Sequence, residues 1–323
     1  MCFVRLCTLW HSRFLTGGND MSSKKGKNKW KILTGVFAIL FVIMIVGGQI
    51  ANNYASVINM FLGVDTSGEV SGEGKVYFEA DYTTSEEQAV AAEALCEEVV
   101  ANGAVLLKND ASALPLEEGA KVTLLGKGAV DLVYGGSGSG SMDTSNTSTL
   151  KEALEKDGYV VNATMWDFYS TGVGSEYSRQ TPPGALNNYI FENSGYLVNE
   201  VPMDKYTDVE WKSVEEYKDA AIVVFGRVCG EGSDLPWFGA GDGKGNILEL
   251  SDEEQALLKK LAELKSAGKL KKIVVLLNSS NALELDFLNP DICGVDYSID
   301  ACMWIGELGQ TGVEAIGDLL CGK

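Results

Sequence analysis

Histidine is almost missing from this sequence: His11 is the single one in 323 residues. A Ser-His-Asp triad, a Cys-His pair or a two-histidine zinc site would each have to use it. With His11 outside the folded part, those chemistries drop out and carboxylates become the acid–base groups. Cysteine occurs seven times, at positions 2, 7, 96, 229, 293, 302 and 321. No CxxC pair or ligand-like cluster appears, so buried thiols are expected and no metal site or cofactor. Basic charge is also scarce, with 26 Lys plus Arg against 45 Asp plus Glu and a net charge of -19. Such a chain repels phosphate backbones, so no nucleic-acid partner is expected. What is abundant is apolar content: 46% hydrophobic residues are ample for a core. The length by itself suggests about two domains.

The charge is unevenly spread. Residues 1–50 hold seven basic side chains and one acid, Asp20, so the remainder carries 19 basic and 44 acidic ones, a net of -25. Between the two lies Ile32–Ile50, an uncharged run long enough to cross a bilayer core of roughly 30 Å. A cleaved signal peptide is the rival reading, with Gly47–Ala55 as a cleavage region. Its apolar core is usually shorter than this run, so a retained anchor is favoured. Lysines 24, 25, 27, 29 and 31 precede the span and no basic residue follows until Lys75. That asymmetry puts residues 1–31 in the cytoplasm and the rest outside a cell membrane crossed once. Residues 1–20 have no periodicity, and MSSKKGKNKWK looks like a natural start at Met21. Gly17-Gly18 then reads as a translated bacterial ribosome-binding site, and the outer part contains no histidine.

Residues 51–81 read as a juxtamembrane linker, weakly helical over Ala51–Leu62 and Gly-rich over Asp65–Lys75. From Tyr82 the pattern sharpens. Thr84-x-x-Glu87, Thr149-x-x-Glu152 and Ser251-x-x-Glu254 are capping-box signals that open helices ending near Ala101, Asp157-Gly158 and Gly268. The runs 122–126 (VTLLG), 159–163 (YVVNA), 220–226 (AAIVVFG), 272–278 (KIVVLLN) and 301–305 read as strands, and 312–320 as a last helix. Strands alternating with amphipathic helices predict an α/β fold with a mostly parallel sheet and helices on both faces. Its strand-to-helix loops line one carboxyl edge, where such sheets bind ligands.

Three loops follow strands on that edge. GKGAVDLVYGGSGSGS (126–141) offers Gly126 and Gly128 to a phosphate but lacks the third glycine of GxGxxG. Its run 135–141 suits close approach of backbone and hydroxyls to a polar ligand. GRVCGEGSDLPWFGAGDGKG (226–245) combines Glu231, Asp234, Trp237 and Phe238 with glycines. Carboxylate, aromatic and glycine are what a sugar site needs, although composition leaves Glu231 equally a solvated loop acid. GELGQTG (306–312) reads as a structural turn.

NGAVLLKNDASALPL (102–116) is similar to the opening of the α/β-sandwich domain of glycoside hydrolase family 3, the β-glucosidase family. The resemblance continues in order through LLGKGAVDLVYGGSGSGS (124–141), VVFGRVCGEGSDLP (223–236), LELSDEEQALLKKLAE (248–263), KKIVVLLNSSNALEL (271–285) and ACMWIGELGQTGVEAIGDLLCGK (301–323). It covers residues 82–323 and implies a retaining glycosidase acting on a β-glucoside or oligosaccharide. In that family a barrel carries an aspartate nucleophile and this domain carries the acid/base. The Gly-Glu-Gly-x-Asp loop falls on residues 230–234, making Glu231 the acid/base. The serine-glycine run places sugar contacts at Ser139 and Gly138. Arg227 and Asp234 would orient the loop and, with Trp237, contact the substrate.

Departures from the family pattern set further expectations. No barrel is found before residue 82, and the order anchor-then-sandwich matches members whose domains are reversed. The sandwich is expected to be incomplete at its C-terminus and the chain inactive alone, because a retaining mechanism needs a second carboxylate. The alternative is a membrane-tethered, non-catalytic carbohydrate-binding or assembly module. A nucleotide-binding flavodoxin-like protein is disfavoured by the incomplete glycine fingerprint.

Overall fold

The computed structural model describes residues 24–62, 81–136, 138–178, 199–231, 235 and 246–323. They fall into two compact units, Met1–Glu79 and Ala80–Lys323. The first contains α1 (Lys24–Asn53) and α2 (Ala55–Leu62). Within α1, Lys29–Asn53 is long and apolar enough to cross a membrane, and none of its apolar side chains is buried in protein.

The second unit opens with α3 (Ser85–Gly103). Thr84 caps it by accepting from the Glu87 N–H at 3.2 Å, but Glu87 returns to Thr83 rather than to Thr84. The expected reciprocal box is thus spread over two threonines. The boxes at Thr149 and Ser251 form as expected and open α4 (Leu150–Lys156) and α7 (Asp252–Ser266). Five expected strands appear: β2 (Lys121–Leu125), β3 (Val160–Val161), β4 (Ala220–Gly226), β5 (Ile273–Asn278) and β6 (Ala301–Trp304). An unexpected strand, β1 (Val105–Asn109), precedes them. The remaining helices are α5 (Ala163–Ser170), α6 (Asp208–Glu216), α8 (Pro290–Cys293) and α9 (Ala315–Cys321).

The strands order as β1-β6-β5-β4-β2-β3. Every neighbouring pair is parallel except β1 with β6. The central strands β4 and β5 carry long apolar runs, Ala220–Phe225 and Ile273–Leu277, because both faces are covered. Along β4, Ala220, Ile222 and Val224 enter one hydrophobic layer with Val100, Leu150, Leu154 and Ile316. The intervening Ala221, Val223 and Phe225 enter the other, with Met165, Tyr169, Leu257 and Leu261. The strand period of two divides one sequence run between two cores.

β1 differs. At the sheet's edge, Val105, Leu106 and Leu107 are 47%, 49% and 39% exposed, and a register shift interrupts its pairing between Leu106 and Lys108. Ile222, by contrast, is fully buried in the central strand. Ile222→Ala is expected to cost about 2–5 kcal/mol. The check is the denaturant midpoint of the detergent-solubilised chain, and an unchanged midpoint would contradict the two-layer core.

Candidate active site at the carboxyl edge of the sheet

The carboxyl ends of β2, β4, β5 and β6 feed loops that are tied together by buried polar groups. Asn278, the last residue of β5, is fully buried. Its Oδ1 accepts from the Val133 N–H at 2.6 Å, and its Nδ2 donates to the Val133 and Gly306 carbonyls at 3.0 and 2.7 Å. One amide side chain therefore completes the backbone bonding of the β2 loop and holds it against the β6 loop. Leu308 and Gly309 continue that contact by donating to the carbonyls of Val133 and Tyr134.

This scaffold brings the β2 loop against the β4 loop. A Cβ on Gly136 would lie 2.9 Å from the Cys229 carbonyl, so only glycine permits this backbone approach. Beyond it, a single turn spans Gly138–Gly140. Ser139 meets Glu231 there: its N–H and its hydroxyl both donate to Glu231 Oε2, at 2.9 and 2.5 Å. These two bonds favour the ionised form and hold the exposed Glu231 carboxyl below the usual carboxylate range. Ser139, Gly138 and Glu231, separately assigned from sequence, thus share one place. Asp234 and Trp237, with Phe238 and His11, lie outside the described residues.

Arg227 occupies a different position from the other assigned residues. Its side chain is 1% exposed, and all five N–H donors are used within the protein. Nε donates to the Ile247 carbonyl, Nη1 to Gly226 O and Glu254 Oε1, and Nη2 to Glu249 O and Glu254 Oε2, at 2.7 to 3.0 Å. The guanidinium has no donor left for a sugar. Of the two roles read for it, substrate contact and loop orientation, this geometry leaves loop orientation.

Sequence reasoning missed the buried group beside it. Glu200 accepts from the backbone N–H groups of Lys127 and Val201 at 2.7 and 2.9 Å, yet burial pushes its carboxyl up to about 8. The nearby Glu254 raises it further, while Lys127 opposes the shift. Lys127, itself lowered by burial, donates from Nζ to the Tyr169 carbonyl at 3.0 Å. The Tyr169 hydroxyl accepts from Gly126 N–H and pairs with Tyr206. These groups anchor the start of the β2 loop. The one local signal for them was a lysine between two glycines at a strand end. Asn278, ending an apolar strand at the ligand edge, was equally visible and went unread.

The fold and the loops define an α/β-sandwich domain that presents a serine-held carboxylate at its carboxyl edge. The chain belongs to family 3 of the glycosyl hydrolases, whose C-terminal domain matches residues 104–323. Beta-glucosidase A of Butyrivibrio fibrisolvens is 34% identical over 146 residues, 44% of this chain and 15% of that protein. β-Glucosidase 3B from Thermotoga neapolitana, solved in complex with glycerol, has a TM-score of 0.55 at 24% identity, covering 75% of this chain and 30% of that one. A β-glucosidase from Paenibacillus barengoltzii has a TM-score of 0.55 at 23% identity, covering 71% and 23%. The chain therefore spans less than a third of the length of each of these relatives.

Two outcomes follow. Between about pH 4.5 and 8 folded Glu200 keeps a proton that the unfolded chain releases, so it makes stability fall as pH rises through that window. The slope it contributes is at most about 1.4 kcal/mol per pH unit. Glu200→Gln should flatten the stability profile there, and an undiminished slope would contradict the assignment. Ser139→Ala removes one of two bonds to the ionised Glu231, so the carboxyl should titrate at higher pH in a carbon-13 NMR titration.

Proposed function

We propose that this chain supplies the acid/base carboxylate of a membrane-anchored, retaining β-glucosidase, and that Glu231 is that carboxylate. The observation that carries the reading is the Ser139–Glu231 contact, which joins two loops at the ligand-binding edge of the sheet. Protonated Glu231 would give its proton to the glycosidic oxygen as the bond to the anomeric carbon breaks. A second carboxylate about 5–5.5 Å away would attack that carbon, and ionised Glu231 would then deprotonate the water that releases the sugar.

The electrostatics say what the rest of the enzyme must add. Ser139 favours the ionised form, which suits the second step. The first step needs the proton to stay on at working pH, so the site must raise the Glu231 carboxyl. A neighbouring carboxylate and exclusion of water by bound sugar both do so. This supports a nucleophile supplied by another domain, with the present chain inactive by itself. Family membership and the glucose complex of β-glucosidase 3B support a glucoside or oligosaccharide as substrate. The α1 span (Ile32–Ile50 at its centre) supports a single-pass cell-membrane anchor with the lysine-rich side cytoplasmic and the sandwich domain outside. Asp234 and Trp237 remain in this reading as substrate-side residues of the Glu231 loop.

The exposed, serine-bound carboxylate also fits a second reading, a tethered non-catalytic carbohydrate-binding module. The two part in one experiment. In the natural full-length polypeptide, Glu231→Gln should lower turnover of poor-leaving-group glucosides roughly 10²-fold or more, with azide restoring part of it on activated substrates. Unchanged turnover, or loss without any azide rescue, would remove Glu231 from the acid/base role. The 323-residue chain alone should show no turnover.

A further inference from the structure

The apolar stretch at the start of the chain is longer than a membrane crossing requires. No charged residue occurs between Lys31 and Asp65. Helix covers nearly all of the described part of that interval, since α1 ends at Asn53 and α2 starts at Ala55. Trp30, flanked by Lys29 and Lys31, is the aromatic residue at the lysine-rich end, and Tyr54 stands at the helix break. Both are exposed, at 72% and 59%. Tyr54 N–H donates to the Ile50 carbonyl at 3.0 Å, so the helical rise holds up to it. The two rings are then about 36 Å apart along the axis. That is a little more than a hydrocarbon core of roughly 30 Å and sets each ring in a headgroup layer.

α2 begins one residue beyond the second ring. Its sequence, ASVINMFL, has no charge, and Val57, Ile58 and Leu62 are 44%, 38% and 71% exposed. Val57 and Ile58 stand about 160° and 100° round the helix from Asn59, and Leu62 about 60° from it. From Trp30 to Leu62 the helical path is about 48 Å, too long for an upright crossing of the core. The surplus must project into water, be absorbed by steep tilting of one long helix, or turn into the interface. Projection would leave Val57, Ile58 and Leu62 in water. A single crossing helix would have to lean steeply, and the helix is irregular at Tyr54, which follows Asn52 and Asn53 and lies in neither α1 nor α2, although Ile58 N–H still donates to its carbonyl at 2.9 Å.

We propose that α2 is a lipid-docking segment, turned at Tyr54 and seated with Val57, Ile58 and Leu62 in the headgroup–acyl boundary of the outer leaflet. The inference rests on the anchor reading of α1 and adds a second attachment to it. Apolar burial of this kind, about 5–10 Å deep, is how interfacial helices bind.

The test uses the full chain reconstituted in vesicles of phosphatidylcholine and phosphatidylglycerol. A genetically encoded coumarin amino acid is placed in turn at Val57, Ile58, Leu62 and, as a deep reference, Ile43. Lipids carry a nitroxide quencher either near the headgroup or near the acyl-chain terminus. The expected result is stronger quenching by the headgroup-level probe at positions 57, 58 and 62, and by the chain-terminus probe at 43. Quenching at all four positions mainly by the chain-terminus probe would make α2 part of a tilted span and overturn the proposal. So would quenching at 43 alone, which would put α2 in water. Flotation with the vesicles reports separately on the anchor: a chain that floats but lacks shallow quenching keeps α1 and loses α2, whereas a chain that does not float removes both.

Discussion

The loop that carries Glu231 leaves β4 at Gly226 and returns toward α7 through residues 246–251. One guanidinium bonds both of its feet. Arg227 reaches Gly226 on the outgoing side, Ile247 and Glu249 on the returning side, and Glu254 inside the helix. Glu254 is also the return member of the Ser251 capping box, so the same carboxylate fixes the helix start and neutralises the arginine. Such a pair contributes little net stability over an apolar substitute, yet removing one partner strands a buried charge at about 3–5 kcal/mol. Its value lies in geometry. Anchoring residues 226–227 and 247–249 at one point limits where the Glu231 carboxylate can go.

Asn278 does comparable work on the other side of the site. By matching the Val133 N–H and carbonyl with one side-chain amide, it acts as a short piece of extra strand. The β2 loop is thereby held at Val133 and again at Gly136, and Ser139 arrives beside Glu231 from a supported base. The contact depends on two buried fixings, Arg227 and Asn278, neither of which touches the carboxylate itself.

Much of the fold was legible because its signals are local. Uninterrupted apolar runs marked β4 and β5, and Ser or Thr three residues ahead of Glu marked α4 and α7. β1 went unread because its strand character lies in pairing with β6, a segment almost two hundred residues away, and its exposed side chains carry no burial pattern. α6 was missed although Thr207 and Glu210 form the same box as the others, because no long apolar stripe follows them. At the site, the two loops that the sequence singled out are the ones that meet, through Ser139 and Glu231. Glu200 and the five-fold saturation of Arg227 were not, since both arise from burial by segments remote in sequence.

The outer edge of β1 has a consequence for the domain as a physical object in solution. An uncovered strand edge with apolar side chains is a template on which a second molecule can pair. The register shift after Leu106 and the Lys108 side chain, drawn inward to the Leu288 carbonyl at 3.2 Å, break that template after two residues. A bulge bends and twists the strand locally, so a straight incoming strand cannot match it for long. The irregularity in β1 thus leaves only a short regular stretch at a border of the sheet that carries apolar side chains.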